Sequence, residues 1–358
     1  MIVTAITAER VSIPLTEPFV ISLGAIESAD NVIVRVETDA GLTGLGEGAP
    51  TPFVTGETVE MVEAAVAFLR PAVLGQSPFA IAAIHQGMDR LLVGNGSAKA
   101  ALDMALYDIM AQAAGQPLYR YLGGDTDLVE TDMTIGLDQP ATMAAKAADL
   151  VAQGFRQIKI KAGADDAHDQ AAIAAIRQAA PAAHLKVDAN QGWTPGQALA
   201  MLDYYHRYGV GAVEQPLPHW DVEGTAYVRA RSPIPIMVDE SCFTPHDASR
   251  IVRSQAADVI NIKLMKCGGI YPALQINAVA QAAGVRCMLG CMLESRLAIA
   301  AGAHLVAAQS NFVYADLDSF KDFDDSSLIA QAFDFEAPYI RLSDQPGLGL
   351  RLTTTRPT

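Results

Sequence analysis

The amino-acid sequence predicts an α/β protein: a closed (β/α) barrel of the TIM type that carries a smaller α+β domain. Three observations lead there. From about residue 130, short β-branched segments each end in a polar or charged group and run into an alanine-rich stretch of helical character. The segment ends fall near Thr134, at Lys161, Asp188, Glu214, Asp239 and Lys263, near Cys291 and at Asp316. Successive gaps between them are 27, 27, 26, 25, 24, 28 and 25 residues, a period that marks a repeated β-then-α unit. Eight such units close into a parallel ring. Finally, 358 residues at 51% apolar exceed what one core organises, since single cores stop growing near about 250 to 300 residues. A doubly wound open sheet would also alternate strand and helix, but eight consecutive units with a charged group at most strand ends fit the ring better.

The elements outside the barrel follow from local signals. The first 50 residues alternate apolar and polar positions (Ile2 to Val11, Asn31 to Thr38) and break at Thr38-Asp39-Ala40-Gly41, the pattern of an antiparallel hairpin. A helical region follows. Within it SAKAALDMALYDIMAQAAG begins at Ser97 with an N-cap candidate in front, Gly115 behind and then Pro117, which makes one clear helix. The stretch from Phe335 (FEAPYIRLSDQPGLGLRL) reads as strand and turn again and returns to the first domain. The expected division is 1–122 for an N-terminal α+β capping domain, 123–325 for the barrel, and 326–358 for a C-terminal segment that rejoins the cap.

Bulk properties narrow the function classes. Cys242, Cys267, Cys287 and Cys291 form no CxxC and no metal-finger spacing, so they read as buried thiols of a reducing compartment. The N-terminus MIVTAITAERVSIPL has no basic region followed by an apolar one, and the apolar stretch from Ala298 to Ala308 is interrupted by His304; cytoplasm without membrane attachment is the expectation. A net charge of −15 argues against a nucleic-acid partner, which needs clustered Lys and Arg. A small-molecule substrate remains, with a homo-oligomer as the expected assembly.

In such a barrel the active site is built at the C-terminal ends of the strands. The third, fourth and fifth strands present Asp188, Glu214 and Asp239 there. Three adjacent carboxylates repel unless a cation neutralises them, and an all-oxygen set suits Mg²⁺ or a similar hard ion. The plain alternative, helix capping after a strand, suits any one of them better than all three. Lys159 and Lys161 end the second strand and Lys263 the sixth, four positions away across the ring. Alternation puts Lys159 and Lys161 on one face. Like-charge repulsion there lowers both pKa values, leaving one available as a neutral base, unless these are solvated surface lysines. Bases on opposite sides of a carbon, with a divalent ion between, are what removal and return of an α-proton require. Asp316 and Asp318 share a face of the eighth strand, suited to a substrate ammonium group or, more plainly, to solvent or a helix cap.

These residues, with GNGSAKAALDMALYD, LYRYLGG, KIKAG, VDANQGW, VEQPLP, DESCFTP, NIKLMKCGGI, CMLESRLAIAAGAHL and ADLD, resemble the enolase superfamily. The likeness covers nearly the whole chain and lies in the muconate-lactonising-enzyme-like subgroup, with dipeptide epimerases of the L-Ala-D/L-Glu epimerase type. The resemblance implies an enolase-type barrel, one Mg²⁺ per subunit held by Asp188, Glu214 and Asp239, and Lys161 and Lys263 as the two acid/base catalysts. Lys159 assists the substrate carboxylate, while Asp316 and Asp318 bind a dipeptide's α-ammonium group, so that inversion falls on the C-terminal residue. Capping loops at Phe19 to Ile26 and Pro50 to Gly56 close over the mouth, and Phe19, Gly24 and Met292 join the substrate-binding set.

Two departures qualify this. Relatives acting on Ala-Glu carry an arginine in the first capping loop, where this chain reads Leu23-Gly24-Ala25 among Phe19, Val20 and Ile21; a neutral or hydrophobic second residue is therefore expected. Ser319-Phe320 replaces the Gly/Ala-Pro expected after the DxD. The nearest rival is an N-acyl amino acid racemase or o-succinylbenzoate synthase, whose substrates lack the ammonium that Asp316 and Asp318 suit. An acid-sugar dehydratase would use a histidine at a late strand end, whereas His304 lies within a helical stretch.

Overall fold

The computed structural model describes residues 1–21, 24–163, 165–323 and 329–352. The chain opens with an antiparallel sheet of β1 (Val3–Ile21), β2 (Gly24–Thr38) and β3 (Thr43–Gly48) in that order. Its glycine alternation has a packing cause. A Cβ on Gly44 would lie 2.0 Å from the Ala105 carbonyl oxygen and one on Gly46 1.9 Å from that of Ala101, so only glycine lets the helix Gly96–Ala113 lie flat on β3. The intervening Leu45 and Glu47 then point the other way, toward the barrel. Val32, Val34 and Val36 join Val62, Val66, Leu69, Ala98 and Leu102 in the cap's own core.

The expected ring follows. After β4 (Leu128–Glu130) come β5 (Met133–Ile135), β6 (Gln157–Lys161), β7 (His184–Asp188), β8 (Val210–Glu214), β9 (Ile236–Val238), β10 (Val259–Lys263), β11 (Arg286–Gly290) and β12 (Phe312–Asp316). β5 to β12 form one eight-stranded sheet in sequence order. The ends meet: Asp132 N–H donates to the Ala315 carbonyl at 3.0 Å, and Leu317 N–H donates to Thr131 Oγ1 at 2.9 Å. Register aligns the charged ends, pairing Lys161 with Asp188, Asp188 with Glu214, and Lys263 with Gly290, itself paired with Asp316. Asp239 and Cys291 lie one residue past their strands. Outward-facing Ile158, Ile160, Leu185 and Val187 pack with Ala172, Ile176 and Ala198 of the surrounding helices.

The tail pairs β14 (Phe333–Glu336) with β15 (Tyr339–Leu342), and β15 with β4; the short β13 (Ile329–Gln331) pairs with β16 (Arg351–Leu352). Between them the chain meets the first domain, where Leu118 N–H donates to the Gly347 carbonyl at 2.8 Å and Leu348 N–H to Asp108 Oδ1 at 2.9 Å. Among the described residues no helix is long and apolar enough to cross a membrane.

The first capping loop differs in backbone form from expectation. The stretch expected as a Phe19–Ile26 loop continues the β1–β2 ladder, with Phe19 opposite Ile26 and Ile21 opposite Gly24. Leu23 lies outside the described residues, and of 17–26 only the backbone pairing is described. The stem is joined to the barrel, since Thr16 N–H donates to the Asp322 carbonyl at 2.8 Å. The Pro50 to Gly56 stretch contains a one-turn helix, Pro52–Thr55, with proline at its start and Gly56 in the left-handed region at φ 73°.

Candidate active site

The strand ends converge on a cavity lined by Lys159, Lys161, Lys263, Asp316, Asp318 and Met292, with Thr51, Phe53, Val54 and Leu293 on the cap side. Beneath it Asp188, Glu214 and Asp239 are buried. Alternation along QIKIK turns Lys159 and Lys161 inward together, as expected. Lys161 Nζ donates to Asp188 Oδ2 at 2.7 Å. Lys159 Nζ lies 3.2 Å from that oxygen, 2.9 Å from Glu214 Oε2 and 2.8 Å from Asp316 Oδ2. Across the ring, Lys263 Nζ lies 2.8 Å from Asp239 Oδ2. The three lysines and four carboxylates singled out on β6 to β10 and β12 thus form two groups, Lys159 and Lys161 with Asp188, Glu214 and Asp316, and Lys263 with Asp239, linked through Lys266 and Asn261, with Asp318 beside them.

The expectation of a neutral lysine is not met at Lys159. Burial alone lowers its pKa, but Asp316, Glu214, Asp188 and Asp239 surround it and hold it well above the ordinary lysine value. Lys263 is raised too, as burial is outweighed chiefly by Asp239. Repulsion between neighbours on one strand is overridden by carboxylates from four others. In return, burial pushes Asp188, Asp239 and Asp316 up while the lysines pull each below the usual carboxylate range. Glu214 is pushed up to about 6 by burial and by Asp188, and Asp318 up to about 7 by burial and by Asp316.

The set has the chemistry of a hard-cation site. Asp188, Glu214 and Asp239 offer oxygens alone, from three adjacent strands. Glu240 beside them is buried with Oε2 lacking a hydrogen-bond donor, as is Asn190 Oδ1. Asp188 faces Lys161, Asp239 faces Lys263 and Lys266, and Glu214 faces Lys159, which is shared with Asp188 and Asp316. That leaves acid in excess, which a divalent ion with a substrate carboxylate would balance. The tightest acidic convergence among the described residues is nevertheless elsewhere: carboxylate oxygens of Asp132, Asp316 and Asp318 lie within 4.8 Å of one another. The predicted ligand trio is held more open because lysine ammonium groups reach between its members.

Sequence reasoning passed over several residues. Lys266 Nζ donates to the Asp239 carbonyl at 2.5 Å and to its Oδ1; its spacing of three after Lys263 in KLMK was the available signal. Asn261 Nδ2 donates to Glu214 Oε1 at 2.7 Å. Thr134, read only as a strand end, holds both strand-eight aspartates: its N–H donates to Asp318 Oδ2 at 2.7 Å and its Oγ1 to Asp316 Oδ1 at 3.3 Å. Asp132 is ion-paired with Lys186 inside the barrel. His304, as expected, is away from the mouth, its Nδ1 accepting from Tyr119 N–H at 3.0 Å within the helix Arg296–Ala308.

Comparison with known proteins agrees with this architecture. Residues 142–356 match the family described as enolase C-terminal domain-like, and residues 2–123 the mandelate racemase / muconate lactonizing enzyme N-terminal domain. The chain is 44% identical to a hydrophobic dipeptide epimerase of Enterococcus faecalis, over 94% of this chain and 96% of that one. It is 42% identical to an L-Ala-D/L-Glu epimerase of Bacillus subtilis, over 98% and 97%. The crystal structure of the dipeptide epimerase from Enterococcus faecalis, complexed with Mg and the dipeptide L-Leu-L-Tyr, superposes with a TM-score of 0.95 at 43% identity, covering 98% of this chain and 99% of that one.

Proposed function

We propose that this chain, which belongs to the mandelate racemase / muconate lactonizing enzyme family of the enolase superfamily and is an isomerase of the racemase and epimerase class, inverts the α-carbon of the C-terminal residue of a dipeptide. The observation that carries the reading is the juxtaposition, in one cavity, of two opposed lysines with the buried pair Asp316 and Asp318.

Lys161 and Lys263 stand four strands apart in the ring, so a carbon between them meets an Nζ on either side. One, as the neutral amine, takes the α-proton, and the other, as the ammonium, delivers a proton of its own to the opposite face; the carboxylate oxygens carry the enolate charge in between. Asp188, Glu214 and Asp239 would hold Mg²⁺. When bound, that ion supplies a Lewis acid for the charge developing on the substrate carboxylate. Lys159 adds an ammonium donor near those oxygens. Asp316 and Asp318, braced by Thr134, accept the dipeptide's ammonium group, fixing which residue reaches the lysines.

The second side chain is neutral or hydrophobic in this reading. Phe53, Val54, Met292 and Leu293 supply an apolar wall, and the cations lining the cavity are the three lysines already engaged by carboxylates. The similarity to the hydrophobic dipeptide epimerase is in keeping with this, and Leu23-Gly24-Ala25 supplies no arginine for a glutamate.

The test is incubation with Mg²⁺ and pooled L,L-dipeptides in D₂O, scanned by mass spectrometry for gain of one deuterium. Exchange in dipeptides with apolar C-terminal residues is expected. A preference for Ala-Glu would sink the specificity, and exchange confined to N-acyl amino acids would replace the function with the racemase reading.

A further inference from the structure

Glu47 belongs to the capping sheet, yet all its partners but one lie in the barrel. Because the glycines of β3 face the helix behind it, Glu47 is turned the other way and completely buried. Its Oε1 accepts from Asn31 Nδ2 at 2.7 Å and from Ser295 N–H at 3.0 Å; its Oε2 accepts from Ser295 Oγ at 2.7 Å and from Ala298 N–H at 3.1 Å. Asn31, also buried, donates from the same Nδ2 to the Leu293 carbonyl at 2.9 Å. A carboxylate of one domain thus occupies the start of a helix in the other, and its neighbour grips the residue two before the cap.

Among the described residues no lysine or arginine is ion-paired with this carboxylate. Burial raises its pKa and the four hydrogen bonds oppose that rise. The helix Arg296–Ala308 already has a local cap in Ser295, whose Oγ accepts from Leu297 N–H; a second cap from the other domain adds position rather than helix formation. What it positions is the segment from Cys291 to Ser295. On its far side Ser319 Oγ accepts from Glu294 N–H at 3.2 Å and donates to the Glu294 carbonyl at 2.8 Å. The segment is therefore held from the cap by Asn31 and Glu47, and from the barrel by the residue after Asp318. Leu293, gripped through its carbonyl, and Met292 just before it line the cavity.

We infer that Glu47, with Asn31, is a positioning residue for substrate selection: it registers the capping sheet on the barrel and sets the Met292–Leu293 wall against the substrate's second side chain. This rests on the dipeptide reading above. Glu47 touches no reacting atom. In Glu47→Gln the NH₂ group takes the place of Oε2, where it meets Ala298 N–H, or of Oε1, where it meets Ser295 N–H, so two donors meet and one grip is lost either way.

The experiment compares Glu47→Gln, Ser295→Ala and the wild type by two measurements. In amide hydrogen exchange, residues 291–298 are expected to exchange about tenfold faster in Glu47→Gln, corresponding to loss of roughly one hydrogen bond, with a smaller rise in Ser295→Ala. In steady-state kinetics, KM for dipeptides with a large apolar second residue is expected to rise about tenfold in Glu47→Gln, while KM for a second alanine and kcat for both stay within about threefold. Ser295→Ala keeps both backbone amides and carries the test should Glu47→Gln not fold. Unchanged amide exchange overturns the clamp. Faster exchange with an unchanged ratio of the two KM values makes Glu47 a domain fastener and overturns its role in selection. A wild type that exchanges no dipeptide α-proton overturns the functional reading instead, and the amide measurement then decides the clamp alone.

Discussion

The barrel mouth and the cap–barrel contact both depend on buried carboxylates, but the two sets face different partners. At the mouth, Asp188, Glu214, Asp239 and Asp316 face lysine ammonium groups. Around the cap, backbone N–H groups take that place, with side-chain donors such as Asn31, Ser97 and His85 beside them. Glu47 accepts from Ser295 and Ala298, Glu57 from Ser97 at 3.1 Å, Asp103 from Ile270 at 2.5 Å, and Asp108 from Leu45 at 3.1 Å. An N–H fixed in a helix start or, at Leu45, in a strand cannot leave, so such a contact records where two elements meet. An ammonium on a flexible stem can exchange its carboxylate for a ligand. Buried ion pairs add little to stability on balance, so their density at the mouth marks function.

Breaking the ammonium set should abolish chemistry and leave the fold. Lys161→Ala and Lys263→Ala are each expected to lower formation of the inverted dipeptide by about 10²- to 10⁴-fold, with far-UV circular dichroism unchanged. Chelation should abolish activity and Mg²⁺ restore it; full activity after exhaustive chelation would dismiss Asp188, Glu214 and Asp239 as ligands.

Asp318→Asn probes the same set more gently. Hydrogen bonds to charged groups contribute about 1.5–3 kcal/mol, so KM for a free-ammonium dipeptide should rise about 10- to 100-fold while that of its N-acetyl analogue does not. Equal rises would place Asp318 outside the ammonium site.

The amide-facing set should show the reverse. Asp103→Asn leaves Ile270 and Tyr271 N–H, and His85 at 2.7 Å, without their carboxylate. A loss of about 1–3 kcal/mol in stability is expected from urea unfolding, with kcat/KM within about threefold. A large kinetic loss without destabilisation would erase the distinction between the two sets.

The same contrast explains what could be read beforehand. The mouth was legible because each barrel strand delivers its last residue to one rim, so a period near 26 residues located Lys161, Asp188, Glu214 and Lys263 without knowledge of packing. Charge environment was not. Lys159 and Lys161 are neighbours in sequence, and the repulsion between them was visible, whereas the carboxylates that outweigh it at Lys159 come from other strands. Cap contacts were hidden for a different reason: Glu47 and Ser295 are 248 positions apart, and GLGEG reads as a strand with glycines until the helix behind it is placed. The loop at Phe19 to Ile26 was expected from the family resemblance alone, and the backbone there pairs instead, with Phe19 opposite Ile26. Lys186 shares strand parity with Asp188, and that alone could have placed it inside the barrel with Asp132.

His304 offers the smallest and cleanest separation, because it is buried, distant from the mouth and titratable. Burial pushes its pKa from 6.5 down to about 3, and its Nδ1 must stay unprotonated to accept from Tyr119 N–H. The unfolded chain takes up a proton below about pH 6.5 while the folded chain refuses it until about pH 3. The stability tied to the neutral ring is therefore complete above pH 6.5 and lost as pH falls toward 3, at up to about 1.4 kcal/mol per pH unit. An asparagine can accept the same N–H but does not titrate. His304→Asn should be less stable than the wild type at pH 7.5, with the gap narrowing by about 2 kcal/mol at pH 5, while kcat/KM at neutral pH stays within about threefold. Urea midpoints at the two pH values decide it: a gap that does not change with pH would mean that His304 takes up its proton inside the folded protein.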